Sequence, residues 1–217
     1  SDRDMGRVAS GRTAGGARLA RRHRAIVGRQ GLSVAKRRMV LACAVCAMVA
    51  APAAAPANRI WIIGDSTAAA YGGRNGAMSG WGEALEALTR GRCRVVNRAV
   101  PGASTRTFAA DHWPAVRGRL RPGDTVLIQF GHNDASTDAR KHTSPFDDYA
   151  LLLRSFVKQA QIAHAHPILL TPIPRFKFDH GRLVDTHGDY PTAVERVASE
   201  EKVAWVDLNR QIARALT

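Results

Sequence analysis

From Asn58 onward the chain alternates short apolar runs with longer amphipathic ones. Ile60-Trp61-Ile62-Ile63 is a continuous apolar run stopped by Gly64, the pattern of a strand buried on both faces. Trp81 to Thr89 reads as a helix with Ala84, Leu85 and Leu88 on one face. Arg94 to Asn97 is a second strand, and Trp113 to Leu120 a second helix closed by the turn Pro122-Gly123-Asp124. Thr125 to Phe130 is a third strand, again stopped by a glycine, Gly131. Tyr149, Leu152, Leu153, Phe156, Val157 and Ala160 recur at helical spacing. Ile168 to Thr171 is a fourth strand ended by Pro172. A stripe of Tyr190, Ala193, Val194, Val197 and Ala198 precedes a fifth strand, Val203 to Val206. A last helix starts at Asp207-Leu208. Five apolar strands alternating with helices predict an α/β fold: a three-layer α/β/α sandwich around a parallel sheet. The simplest strand order is the flavodoxin-like 2-1-3-4-5.

A chain of 217 residues fits one such domain. Its net charge of +14 invites a nucleic-acid reading until it is located. Residues 58–217 hold 21 of the 32 Lys/Arg and 16 of the 18 Asp/Glu, a net +5, so residues 1–57 hold the other +9. The folded part is therefore mildly basic, which removes the case for a nucleic-acid partner. A modest positive field suits an anionic polymer such as pectin, and a solvated Arg-rich surface explains it equally. Lys36-Arg37-Arg38, the apolar run Met39 to Ala50 and the small residues Ala53 to Ala57 follow the layout of a secretory signal peptide. Residues 1–57 are thus expected to be leader, and 58–217 the domain, secreted and without stable membrane association once the leader is cut. Cys43 and Cys46 fall inside the leader's apolar run, which favours small apolar residues over a metal site. Cys93 is then the one cysteine of the domain.

In open parallel sheets, ligands bind beyond the carboxyl ends of the strands. Three polar clusters fall there: Gly64-Asp65-Ser66-Thr67, Asn97 to Ser104, and Gly131-His132-Asn133-Asp134. Each supplies a part that acyl transfer needs. Ser66 is a nucleophile candidate just past a glycine-terminated strand. The Gly102 and Ser66 N–H groups and the Asn133 amide are candidate donors to a developing oxyanion. Singly, each has a plainer reading: Gly-Asp-Ser-Thr is a common turn, Gly102 suits a tight turn, and Asn133 and Asp134 suit a cap. Their joint placement after three successive strands favours a site.

These clusters resemble blocks I, II and III of the SGNH (GDSL-like) hydrolases. Gly80-Trp81-Gly82, Arg106-Thr107-Phe108, Thr171-Pro172-Ile173-Pro174-Arg175 and Val206-Asp207-Leu208 resemble the rhamnogalacturonan acetylesterase branch. The resemblance covers about residues 58–217. It implies that Ser66 is the nucleophile, that Gly102 and Asn133 complete the oxyanion hole, and that neither metal nor cofactor is required. It also implies an acetylated pectic polysaccharide as substrate. The family pattern includes a late Asp-x-x-His block whose histidine activates the serine. No Asp-x-x-His occurs in these 217 residues, so the expectation is a domain lacking its C-terminal helix and general base, with little activity of its own.

The histidines that are present lie outside such a block. His132 is expected to buttress its loop, and Asp185 with His187 lies near the rim. His164 and His166 are expected to end a helix. His112, His142 and His180 fall in loops. Arg175 suits a uronate carboxylate, though a surface ion pair is the simpler expectation. Two other functions stay open: a lipid esterase or thioesterase with the same nucleophile, and a non-catalytic carbohydrate-binding domain.

Overall fold

The structure is a computed structural model that describes residues 59–73, 78–89 and 91–217. The expected leader, with Cys43 and Cys46, lies outside the described residues. Strands β1 (Arg59–Gly64), β2 (Arg94–Asn97), β3 (Thr125–Gln129), β4 (His166–Leu170) and β7 (Ala204–Val206) form one parallel sheet in the order β2-β1-β3-β4-β7. This is the predicted order, with β7 as the fifth strand. A two-residue antiparallel pair, β5 (Phe178–Asp179) and β6 (Arg182–Leu183), sits within the crossover from β4 to β7.

The central strands explain their own apolar runs. Trp61, Ile63, Val126, Ile128 and Leu169 point to one face and join one buried cluster. That face is covered by α2 (Thr105–Asp111), α3 (Trp113–Arg117), α4 (Ala150–Ile162) and α5 (Tyr190–Glu201). The stripes predicted on α4 and α5 are the buried ones: Leu153, Phe156, Val157 and Ala160 on the first, Ala193, Val194, Val197 and Ala198 on the second. Phe108, Phe130, Phe156 and Trp113 stack at centroid distances of 5.0–6.2 Å in tilted and edge-on arrangements, which suit the ring quadrupoles.

Among the described residues, α1 (Trp81–Thr89) and α6 (Leu208–Leu216) flank the opposite face. Leu127 and Ile168 on that side are only half-buried, and α6 buries no residue fully. The face predicted for α1 is corrected here. Gly82 is its buried position, whereas Ala84 is exposed and Leu88 is 75% exposed. A Cβ on Gly82 would sit 2.3 Å from Asn97 Nδ2, so the missing side chain lets the helix backbone approach the sheet. Close approach, not the apolar stripe, sets how α1 is rolled.

Three boundaries differ from the periodicity reading. The helix expected over 113–120 is the shorter α3, ending at Arg117, and a separate helix that periodicity did not mark, α2, precedes it, started by a Ser104–Thr107 capping box. The fifth strand begins at Ala204. His166 opens β4 instead of ending a helix.

At the amino ends of the strands, Asp124 gathers Arg59 Nη2 (2.6 Å), Trp61 Nε1 (2.9 Å) and the Arg121 N–H (2.9 Å). Burial alone would push its carboxyl up, but these donors hold it below the usual range. The site lies at the other end of the sheet.

Truncating the centre of the aromatic cluster should be costly. Phe156→Ala is expected to destabilise the fold by about 3–5 kcal/mol, read as a lower urea midpoint with an unchanged slope.

Candidate active site

Gly64 ends β1 because nothing larger fits: a Cβ there would lie 2.5 Å from the carbonyl oxygen of Gln129. The next residue, Asp65, is buried, and its Oδ1 accepts the Thr67 N–H (2.9 Å) and the Thr67 hydroxyl (2.7 Å). This Asx turn holds Ser66 at its apex, half-buried, with its carbonyl accepting the Tyr71 hydroxyl (3.1 Å). The Ser66 N–H has no acceptor among the described residues.

Block II prolongs the β1–β2 pairing and then turns. Arg98 N donates to Ile62 O (2.8 Å) and Val100 N to Gly64 O (2.9 Å). Gly102 follows with φ +82°, a conformation that favours glycine. The Gly102 N–H has no acceptor among the described residues. Block III is tied to both other blocks. The His132 N–H points at the Asp65 carboxylate, and Asn133 Nδ2 donates to Ala103 O at 2.9 Å. That bond uses one amide hydrogen of Asn133 and leaves the other. The structure thus brings the loops of Ser66, Gly102 and Asn133 together at the carboxyl ends of β1, β2 and β3.

Two buried groups lock this corner, and periodicity passed over both. Gln129 Oε1 accepts Trp81 Nε1 (2.6 Å) and lies 3.0 Å from the Thr67 hydroxyl, while Nε2 donates to Thr171 O (3.3 Å). A polar residue inside the run Thr125 to Phe130 was the available signal. Asp134 faces away from the crevice. Its Oδ1 accepts the Thr105 N–H (3.0 Å), the Thr105 hydroxyl (2.5 Å) and the Thr143 hydroxyl (2.8 Å), so it clamps the start of α2. Its Oδ2 is buried without a partner. Burial pushes the Asp134 carboxyl up to about 6, with the neighbouring Asp65 adding to the rise and the two threonines opposing it.

The histidines fall into place around His132. Its Nδ1 lies 3.0 Å from Nε2 of His187, so one ring donates and the other accepts. Burial, reinforced by the field of Arg175, lowers both to about 4, and both are neutral at pH 7. Asp185 accepts the backbone N–H groups of His187 (2.9 Å) and Gly188 (3.2 Å), not the His187 ring. Asp185 and His187 therefore do not form a carboxylate–imidazole pair aimed at Ser66. Arg175 is also corrected: no carboxylate lies within ion-pair distance among the described residues, and Nη2 donates to the His132 carbonyl (2.7 Å). No cluster of three or more His, Cys, Asp or Glu among the described residues is arranged to hold a metal.

A model of the GDSL-like Lipase/Acylhydrolase family matches residues 62–216, and the chain belongs to that family. It is 35% identical over 154 residues to YesY of Bacillus subtilis (strain 168), described as a probable rhamnogalacturonan acetylesterase, covering 70% of each chain. It is 34% identical to the rhamnogalacturonan acetylesterase RhgT of the same organism, covering 69% of this chain and 64% of that one. Among solved structures, YxiM of Bacillus subtilis superimposes with a TM-score of 0.65 at 26% identity, over 73% of this chain and 46% of that one. Axe2 of Geobacillus stearothermophilus, an acetylxylan esterase, superimposes with a TM-score of 0.58 at 24% identity, over 73% and 80%, and shares the fold.

The raised Asp134 carboxyl has a consequence for stability. The folded chain keeps a proton that the unfolded chain, with its carboxyl near 3.8, has lost. Its stabilising effect is complete below about pH 4 and is lost as pH rises through about 6. Urea titrations across that window should show a decline of roughly 2–3 kcal/mol that is flattened in Asp134→Asn, which keeps the Oδ1 acceptor.

Proposed function

We propose that this protein is a secreted serine esterase that removes O-acetyl groups from a rhamnogalacturonan-type pectic polysaccharide. The family supports ester hydrolysis, and the two acetylesterase relatives support the acetyl group and the pectic backbone. The leader-like layout of residues 36–57 supports secretion.

One observation carries the mechanism. The Asn133 amide is anchored at 2.9 Å on the carbonyl of Ala103, the residue after Gly102, and its second N–H and the Gly102 N–H both have no acceptor among the described residues. Donors fixed before the reaction need no reorganisation when charge develops. In the proposed reaction Ser66 gives its hydroxyl proton to a base as its Oγ attacks the acetyl carbonyl carbon, and the carbonyl oxygen becomes an oxyanion. That oxyanion accepts from the N–H groups of Ser66 and Gly102 and from the Asn133 amide. Collapse expels the sugar oxygen, which takes up a proton, and leaves an acetyl ester on Ser66. Water then attacks that ester and releases acetate.

His187 is not the base in this scheme. Its ring is bonded to His132, and at about 4 its affinity for a proton is too low to draw one efficiently from a serine hydroxyl. The residues described here contribute the nucleophile and the oxyanion donors.

Hydrolysis of a chromogenic aryl acetate tests the scheme. With no base assigned among the described residues, turnover is expected to be slow, and Ser66→Ala to lower it to the buffer rate. Asn133→Ala is expected to lower kcat by about 100- to 1,000-fold with a smaller change in KM. Turnover that survives Ser66→Ala would defeat the nucleophile assignment. Comparing acetyl with octanoyl esters measures whether the acyl pocket accepts a lipid chain.

A further inference from the structure

The cations around the proposed oxyanion donors are not equally neutralised. Arg106 pairs with Asp148 and donates to His142 O. Arg140 takes the Asp138 carboxylate at 3.2 Å. Lys141, next in the chain, has its backbone N–H on Asp138 O (2.9 Å), but no carboxylate lies within ion-pair distance of its ammonium among the described residues. Instead that ammonium stands against Gly102: a Cβ on this glycine would lie 3.7 Å from Lys141 Nζ. Arg175 is the second such cation, exposed and held on the carbonyl of His132, the residue before Asn133.

The sheet order places these two charges. Gly102 follows β2, Ser66 follows β1, Asn133 follows β3 and Arg175 follows β4, and the spatial order is β2-β1-β3-β4. Lys141 therefore stands at the β2 side of the crevice and Arg175 at the β4 side, with the reacting groups between them. A polysaccharide laid across the strand ends would meet a cation on each flank of the ester.

We infer that Lys141, with Arg175 opposite, binds carboxylates of uronate residues neighbouring the acetylated sugar and so sets preference for an anionic over a neutral backbone. This rests on the esterase reading above and adds the residue that selects the backbone. Exposed ion pairs are individually weak, and an added carboxylate at Lys141 should change affinity by about threefold to fivefold. Screening by salt should remove most of that difference.

Binding of trigalacturonate and xylotriose, measured by calorimetry or NMR titration at about 20 mM and about 0.5 M salt, tests this without requiring turnover. Trigalacturonate is expected to bind more tightly than xylotriose at low salt. Lys141→Gln is expected to weaken trigalacturonate by about threefold to fivefold and to reduce the salt dependence, and Lys141→Arg to restore both. Lys202→Asn removes the same charge at the left-handed C-cap of α5, next to the amino end of β7 and away from the crevice; it should have a smaller effect. Equal binding by Lys141→Gln and wild type, an equal loss in Lys202→Asn, or no preference for trigalacturonate would overturn the assignment. Ser66-dependent aryl acetate hydrolysis with no such preference sinks the Lys141 role alone. Lys141-dependent binding without Ser66-dependent turnover supports the Lys141 role and sinks the esterase reading alone.

Discussion

The architecture of the site depends on one buried amide. Gln129 ends β3 fully buried, where an unsatisfied amide would cost on the order of 1–3 kcal/mol for each missing partner. It avoids that cost when Trp81 of α1 donates to its Oε1 and the carbonyl of Thr171 after β4 accepts from its Nε2, with the Thr67 hydroxyl of the β1 turn packed 3.0 Å from Oε1. The same residue's backbone oxygen crowds Gly64, so β1 and β3 pack as closely as a glycine permits. Satisfying one side chain thus sets the height of the Ser66 turn relative to both its neighbours.

A second constraint works outward from Asp134. Its Oδ1 holds the first turn of α2 and the loop at Thr143, and its own backbone carbonyl accepts the Tyr190 hydroxyl (2.8 Å) from α5. Tyr149 adds a bond to Phe130 O (3.0 Å). Buried networks of this kind define one arrangement because every alternative strands a polar atom. Here one atom, Oδ2, has no partner among the described residues, and burial makes the carboxyl favour its proton. Asn133 lies between this rigid interior and the open crevice, and that position lets a short side chain serve as a fixed donor.

The surroundings of the crevice divide by charge. Histidines 132 and 187 are kept neutral by burial and by Arg175, so the pair gives shape and hydrogen bonding but no charge at pH 7. Unlike Arg106 and Arg140, Lys141 and Arg175 have no carboxylate within ion-pair distance among the described residues. Asn133 and Lys141 belong to the one connection after β3, whereas Gly102 and Arg175 follow β2 and β4.

By itself the sequence determined what is local or strictly periodic. Continuous apolar runs marked the central strands because both their faces are buried, and the 3.6-residue stripes marked α4 and α5 because the large face of the sheet lies beneath them. The three polar clusters were legible because each follows an apolar run directly, two of them at the glycine that stops the strand. Tertiary structure alone decided what depends on residues far apart in the chain. Gly82 overrode the apolar stripe of α1 because close approach to Asn97 is not a periodic property. The pairing of His132 with His187 joins residues 55 positions apart, and the stand of Lys141 against Gly102 joins loops after different strands. Hydrogen-bond satisfaction and charge are properties of neighbours in space, and neighbours exist only once the strands have been ordered.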